Sequence, residues 1–126
     1  MKKIIATNKA PKAVGPYSQA IEVNGTLYIS GQLPINPATG QFISDDVKEQ
    51  TKQALENIKA ILEEAGYSFN DVVKSTVLLK DIADFAAMNE VYAKYYTTDL
   101  PARVAYQVAN LPMGAKVEIE TIAAKG

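Results

Sequence analysis

The chain has 126 residues, a length for one domain that buries roughly two thirds of its unfolded surface. Its 48% apolar and 21% charged residues read as an ordinary soluble globular protein, and a formal net charge of −1 supplies no general field for nucleic acid or an anionic membrane. With no cysteine and no histidine, disulfides, thiolate metal sites, cysteine nucleophiles and histidine-dependent triads are all excluded; chemistry is left to Arg, Lys, Glu, Asp, Tyr, Ser, backbone amides and water.

The opening MKKIIATNKAP holds an apolar stretch of Ile4 to Thr7 at most, too short for a signal peptide or a membrane span, so the expected location is cytoplasmic. KIIAT (3–7) reads as a short strand and NKAPKAVGPY as a Pro/Gly-punctuated loop. SQAIEV and TLYIS flank Asn24-Gly25, the strongest short hairpin signal available. GQLPINPATGQ, rich in Pro and Gly, is expected to be a long loop. Between 45 and 65, Val47, Thr51, Ala54, Leu55, Ile58 and Ile61 recur at helical spacing. Ser44, Asp45 and Asp46 offer caps at its start, and Gly66 offers a stop. DVVKSTVLLK is a strand, and a second helix opens at Asp81, with Ile82, Phe85, Met88, Tyr92 and Tyr95 on one side. RVAYQVA and KVEIETIA are the last strands, expected to pair as a hairpin through a turn around Pro112 and Gly114.

Strand, hairpin, helix, strand, helix, strand, strand is the order of a single α+β domain over 1–126, a mixed sheet with two helices packed on one face. In RVAYQVA, Val104, Tyr106 and Val108 alternate with Arg103, Ala105, Gln107 and Ala109; in KVEIETIA, Val117, Ile119, Thr121 and Ala123 alternate with Glu118, Glu120, Ile122 and Ala124. The first set in each strand suits packing under helices. The second, small apolar groups mixed with isolated charges, suits a surface met by another polypeptide, and a homo-oligomer with sheets packed face to face is expected.

Arg103 stands directly behind Pro101-Ala102, with Ala105 leaving room around it. It is either a surface arginine, ion-paired to Glu118 or Glu120, or a planar fork for bidentate capture of a small carboxylate. Glu118 is a solvated or salt-bridged glutamate, or, beside Arg103, a base for an attacking water. Tyr17, behind the turn in GPYSQA, packs over a loop or walls a pocket. Ser30 and Gly31 in ISGQLP lie where a strand leaves the sheet; Gly31 relieves a turn or lets a ligand approach backbone N–H groups. Asn89 is a solvated helix residue or a pocket group. No GxGxxG, Walker A, CxxC or EF-hand loop is present, and Asp45-Asp46 read as helix capping rather than as a metal site.

Taken together and in order, GPYSQA, ISGQLPINPATG, VVKSTVLLKDIADFAAMNEVY, LPARVAYQVANLP and VEIETIA resemble the reactive intermediate deaminase family, subgroup RidA (YjgF-like), along the whole chain. The resemblance implies a chorismate-mutase-like α+β fold, a homotrimer with clefts between subunits, and no cofactor or metal. It implies hydrolysis of 2-imino acids or their enamine tautomers, such as 2-iminobutanoate and 2-iminopropanoate, to 2-keto acids and ammonia. Those substrates leak from pyridoxal-phosphate enzymes such as threonine dehydratase. By motif, Arg103 falls on the family's carboxylate-binding arginine and Glu118 on the residue that orients or deprotonates water. Tyr17, Ser30, Gly31, Asn89 and the backbone at Ala105 fall on pocket positions. Many members carry Arg-Ser-Cys or Arg-Thr-Cys where this chain has Arg103-Val104-Ala105, so a thiol is not required here. Two rival functions stand beside this one. An endoribonuclease or translation inhibitor is disfavoured by the missing histidine and the near-zero charge; the other is a non-catalytic protein, one that binds a metabolite or regulator or is chaperone-like.

Overall fold

Asn24 and Gly25 take φ of 50° and 77°, the left-handed pair that lets a two-residue turn follow the twist of its strands. They join β2 (Ala20–Val23) to β3 (Thr26–Gln32) as the sequence predicts. The computed structural model describes residues 1–126. In chain order the other elements are β1 (Lys3–Ile5), β4 (Ile35–Asn36), β5 (Gln41–Phe42), α1 (Val47–Ala65), β6 (Val72–Leu79), α2 (Phe85–Tyr92), β7 (Ala102–Gln107) and β8 (Val117–Ala124). Six strands form one mixed sheet in the order β1-β2-β3-β8-β6-β7, with both helices on one face. No helix is long and apolar enough to cross a membrane.

The first helix is stopped at both ends by the residues that announce it. The Asp46 carboxylate accepts from Glu49 N at 3.0 Å, satisfying a first-turn donor. Gly66 closes the other end at φ 81°, and Tyr67 N reaches back to Leu62 O at 2.8 Å. Ala54, Leu55, Ile58, Ile61 and Leu62 are buried against Leu27, Ile29, Val77, Val117 and Ile119 of the sheet, each large aliphatic side chain contributing about 1.5–3 kcal/mol.

Three expectations need correction. The stretch GQLPINPATGQ is not one long loop: Gly31 and Gln32 belong to β3, and β4 and β5 make a small separate hairpin. In it, Asn36 Oδ1 accepts from Ala38 N at 2.8 Å, and Gly40 takes φ 73°. The second helix is shorter than its apolar pattern. A 3₁₀ turn over Ile82–Asp84, capped by Asp81, precedes it; Ile82 is half exposed, and Tyr95 lies past its end with its hydroxyl donating to Glu56 at 2.7 Å.

The third correction is the largest. β7 and β8 do not pair. β6, α2 and β7 form a strand–helix–strand crossover, so β7 runs parallel to β6 at the sheet edge, while β8 is threaded antiparallel between β3 and β6. Register then reverses the faces assigned to β7. Ser75 of β6 opposes both Arg103 and Thr121, and Val77 opposes Ala105 and Ile119, so Arg103 and Ala105 lie on the helix side. Val104 and Tyr106 point to the open side and are 43% and 49% exposed. The alternation misleads because both faces of this strand carry apolar groups, and the smaller one, Ala105, is the one packed against the core. For β8 the reading holds: Val117, Ile119, Thr121 and Ala123 are buried under the helices.

Candidate functional site

The sequence-predicted residues gather in two stations on opposite faces of the sheet. The first is a cavity of about 570 Å³ on the open side, walled by Tyr17, Ser30, Gly31, Glu118 and Glu120, with Pro112 and Met113 at its rim. A register shift between Ile29 and Gln32 places both Ser30 and Gly31 against the single residue Glu120, a β-bulge. Ser30 is tied back to the N-terminal loop: its N–H donates to Gln19 O at 2.9 Å and its hydroxyl to Ser18 O at 2.6 Å. Gln19 in turn holds that loop, its side chain bonding Thr7 and Pro11. Tyr17 is thereby set at the cavity mouth, half exposed.

Gly31 does not adopt a positive φ. Its need for glycine is close approach: a Cβ built there would overlap the Glu118 carboxylate and stand 3.0 Å from its Cδ. The half-buried Glu118 has its pKa raised, first by burial and then by the nearby Glu120 charge. A carboxyl in that state gives and takes protons closer to neutrality than a solvated one.

The second station lies under β7 on the helix side. Arg103 Nη1 donates to Asn89 Oδ1 at 2.6 Å, and the guanidinium carbon lies 5.5 Å from the Phe85 ring centre and 4.8 Å from that of Tyr92. The ion pair weighed against Glu118 or Glu120 does not form; the chain's one salt bridge joins Lys48 to Glu90. Arg103 is only partly exposed and has no acidic partner. Ala105 follows it along the same face, packed against the core. Phe85 and Tyr92 join this station beyond the residues the sequence points to, and the sequence does carry a signal for them: Phe85, Asn89 and Tyr92 are four and three residues apart, one stripe of a helix.

The chain thus carries a carboxyl cavity and a guanidinium without an acidic partner, with the sheet between them. The guanidinium lies on the edge strand, whose outer backbone groups have no partner strand within the chain. No three His, Cys, Asp or Glu side chains come together in a metal-ligating group.

Residues 7–125 match the family described as Endoribonuclease L-PSP. A RutC family protein of Pyrococcus horikoshii is 59% identical over 125 residues, covering 99% of each chain. The 2-iminobutanoate/2-iminopropanoate deaminase of Mus musculus is 55% identical over 126 residues, covering 100% of this chain and 93% of its own. Among solved structures, E. coli TdcF with bound serine superposes with a TM-score of 0.94 at 43% identity, covering 98% of this chain and 99% of its own.

Proposed function

This chain belongs to the endoribonuclease L-PSP family, the YjgF/RidA group, and we propose that it hydrolyses reactive 2-imino acids and their enamine tautomers, 2-iminobutanoate and 2-iminopropanoate among them, to 2-keto acids and ammonia. The observation that carries this reading is the partly exposed Arg103 guanidinium, bonded to an amide oxygen and to no acid. A planar cation held in that state suits the carboxylate of a small substrate. A free amino acid is what the relative TdcF holds in its crystal structure.

Arg103 neutralises and fixes the substrate carboxylate, with Asn89 orienting the guanidinium. The imine nitrogen is protonated, water adds its oxygen to the imine carbon, and Glu118 accepts the proton that water gives up. Glu118 then returns that proton to nitrogen, the C–N bond breaks, and the carbinolamine hydroxyl loses its proton as the ketone forms and ammonia leaves. Tyr17, Ser30 and Gly31 wall the cavity around Glu118, and the backbone at Ala105 and Gly31 contacts the imine and the water. Alanine at 105 contributes no thiol, so the chemistry runs without one.

Because Arg103 and Glu118 face opposite sides of one sheet, the cleft takes Arg103 and Asn89 from one protomer and the Glu118 cavity from its neighbour. The exposed apolar groups of the open face, Ile4, Tyr28, Val104 and Tyr106, support burial between copies. We read the assembly as the homotrimer that the family resemblance implies, acting in the cytoplasm on intermediates released by pyridoxal-phosphate enzymes such as threonine dehydratase. The family's name, endoribonuclease L-PSP, favours RNA cleavage as the rival reading; cleavage of RNA by nuclease-free protein that survives Arg103→Lys and Glu118→Gln would support that rival.

The test generates 2-iminobutanoate in situ with a threonine dehydratase and follows 2-oxobutanoate release. Acceleration over buffer is expected, with a loss of about 10–100-fold for Arg103→Lys, which keeps the charge and loses the fork. Release at the buffer rate overturns the reading.

A further inference from the structure

The contacts around Arg103 do more than give it a hydrogen bond. Both Phe85 and Tyr92 place their rings within the roughly 6 Å over which a guanidinium is attracted to an aromatic face. Tyr92 is itself immobilised. Its ring stacks on Tyr96 at 4.5 Å between centres and 29° between planes, and Tyr96 meets Phe69 edge-on at 5.1 Å. Phe69 lies in the 3₁₀ turn that leads into β6, so the stack runs from α2 back to the sheet. The Tyr92 hydroxyl is buried beside Ser75, the residue opposite Arg103 in the β6–β7 register. The guanidinium is therefore set against a rigid aromatic wall, with Asn89 on its Nη1 end and no protein acceptor for its remaining donors.

We propose that Phe85 and Tyr92 are positioning residues for Arg103, an aromatic clamp that holds the guanidinium plane so that its free edge meets the substrate carboxylate. The inference rests on the reading of Arg103 as a carboxylate ligand and adds what makes that ligand rigid. A long side chain on an edge strand otherwise spreads over several rotamers, and each must be given up when a carboxylate is caught in two-point fashion. Contact with two rings, one of them locked by a further stack, removes that freedom beforehand. Arginine is matched to this wall because its planar cation stacks where an ammonium group does not.

The test measures Tyr92→Leu and Phe85→Leu, each alone and combined with Arg103→Ala, for imine hydrolysis and for binding of 2-oxobutanoate by calorimetry. Alone, each aromatic replacement is expected to lower kcat/KM roughly tenfold, mostly through KM, and to weaken 2-oxobutanoate by a similar factor. Tyr92→Phe, which keeps the ring, recovers most of that affinity. In the Arg103→Ala background the same replacements change the residual kcat/KM by less than about twofold, because the group they act through is gone. Equal losses in both backgrounds overturn the clamp and assign the rings to packing alone. Should Tyr92→Leu fail to fold, the partly buried Phe85 carries the same comparison. Protein that binds 2-oxobutanoate in a Tyr92-dependent manner yet hydrolyses no imine keeps the clamp and sinks the deaminase reading. Hydrolysis with additive losses does the reverse.

Discussion

Burial in the cavity beside Gly31 opposes ionisation of Glu118, the neighbouring Glu120 charge adds to it, and its pKa stands above the ordinary 4.5. The sign for stability follows from linkage. A carboxyl whose folded pKa is raised binds its proton more tightly when folded, so its favourable contribution is complete below the ordinary glutamate pKa and is lost as pH rises through the raised one. Glu118→Gln should therefore raise the melting temperature at about pH 7, and the gain should vanish below about pH 4. A thermal-unfolding series across that range checks it; a gain equally large at the acid end would assign the effect to something other than ionisation. The same variant is expected to lose hydrolysis, so stability and activity move in opposite directions at this residue. Arg103 was legible from its own surroundings, Pro101-Ala102 before it and Ala105 after it. Its partners were not, because what places Phe85 and Tyr92 beside it is the seating of α2 over β6 and β7.

The bulge in β3 sets the bed of the cavity. Two residues stand where a regular strand would place one, so the Glu118 side chain comes to rest over Gly31. Gly31→Ala would push a methyl group into that carboxylate and force the Glu118 side chain to move aside. A lower kcat with little change in melting temperature is the expected outcome, and an unchanged kcat would place the Glu118 side chain elsewhere. Elements marked by local chemistry were readable in the sequence: the Asn24-Gly25 hairpin, the capped helix from Asp46 to Gly66, and the inward face of β8. What could not be read locally was pairing. Apolar alternation reports that a strand has two unlike faces without saying which meets the helices. In β7 the larger apolar groups, Val104 and Tyr106, turn away from them. A strand followed by a helix and another strand is the signal of a parallel crossover, and it outweighs the apparent hairpin at Pro112–Gly114.

Across the whole molecule, the proposed roles of Arg103 and Glu118, on opposite faces of one sheet, predict that activity is a property of assembly. Chains carrying Arg103→Lys retain a sound Glu118 cavity, and chains carrying Glu118→Gln retain a sound guanidinium. Unfolded together, mixed and refolded, the two are expected to recover a fraction of wild-type hydrolysis that neither shows alone. No recovery from mixtures shown to co-assemble would place both residues in one protomer's cleft. The threading of β8 has a consequence of another kind, for synthesis. Although made after every other strand, β8 occupies the middle of the sheet, between β3 and β6. Until it leaves the ribosome those two strands each lack a neighbour, and no ladder joins the β1–β2–β3 part of the sheet to the β6–β7 pair. From the completion of β6 until β8 follows, the nascent polypeptide thus carries a gap in its sheet, open to mispairing with other nascent chains.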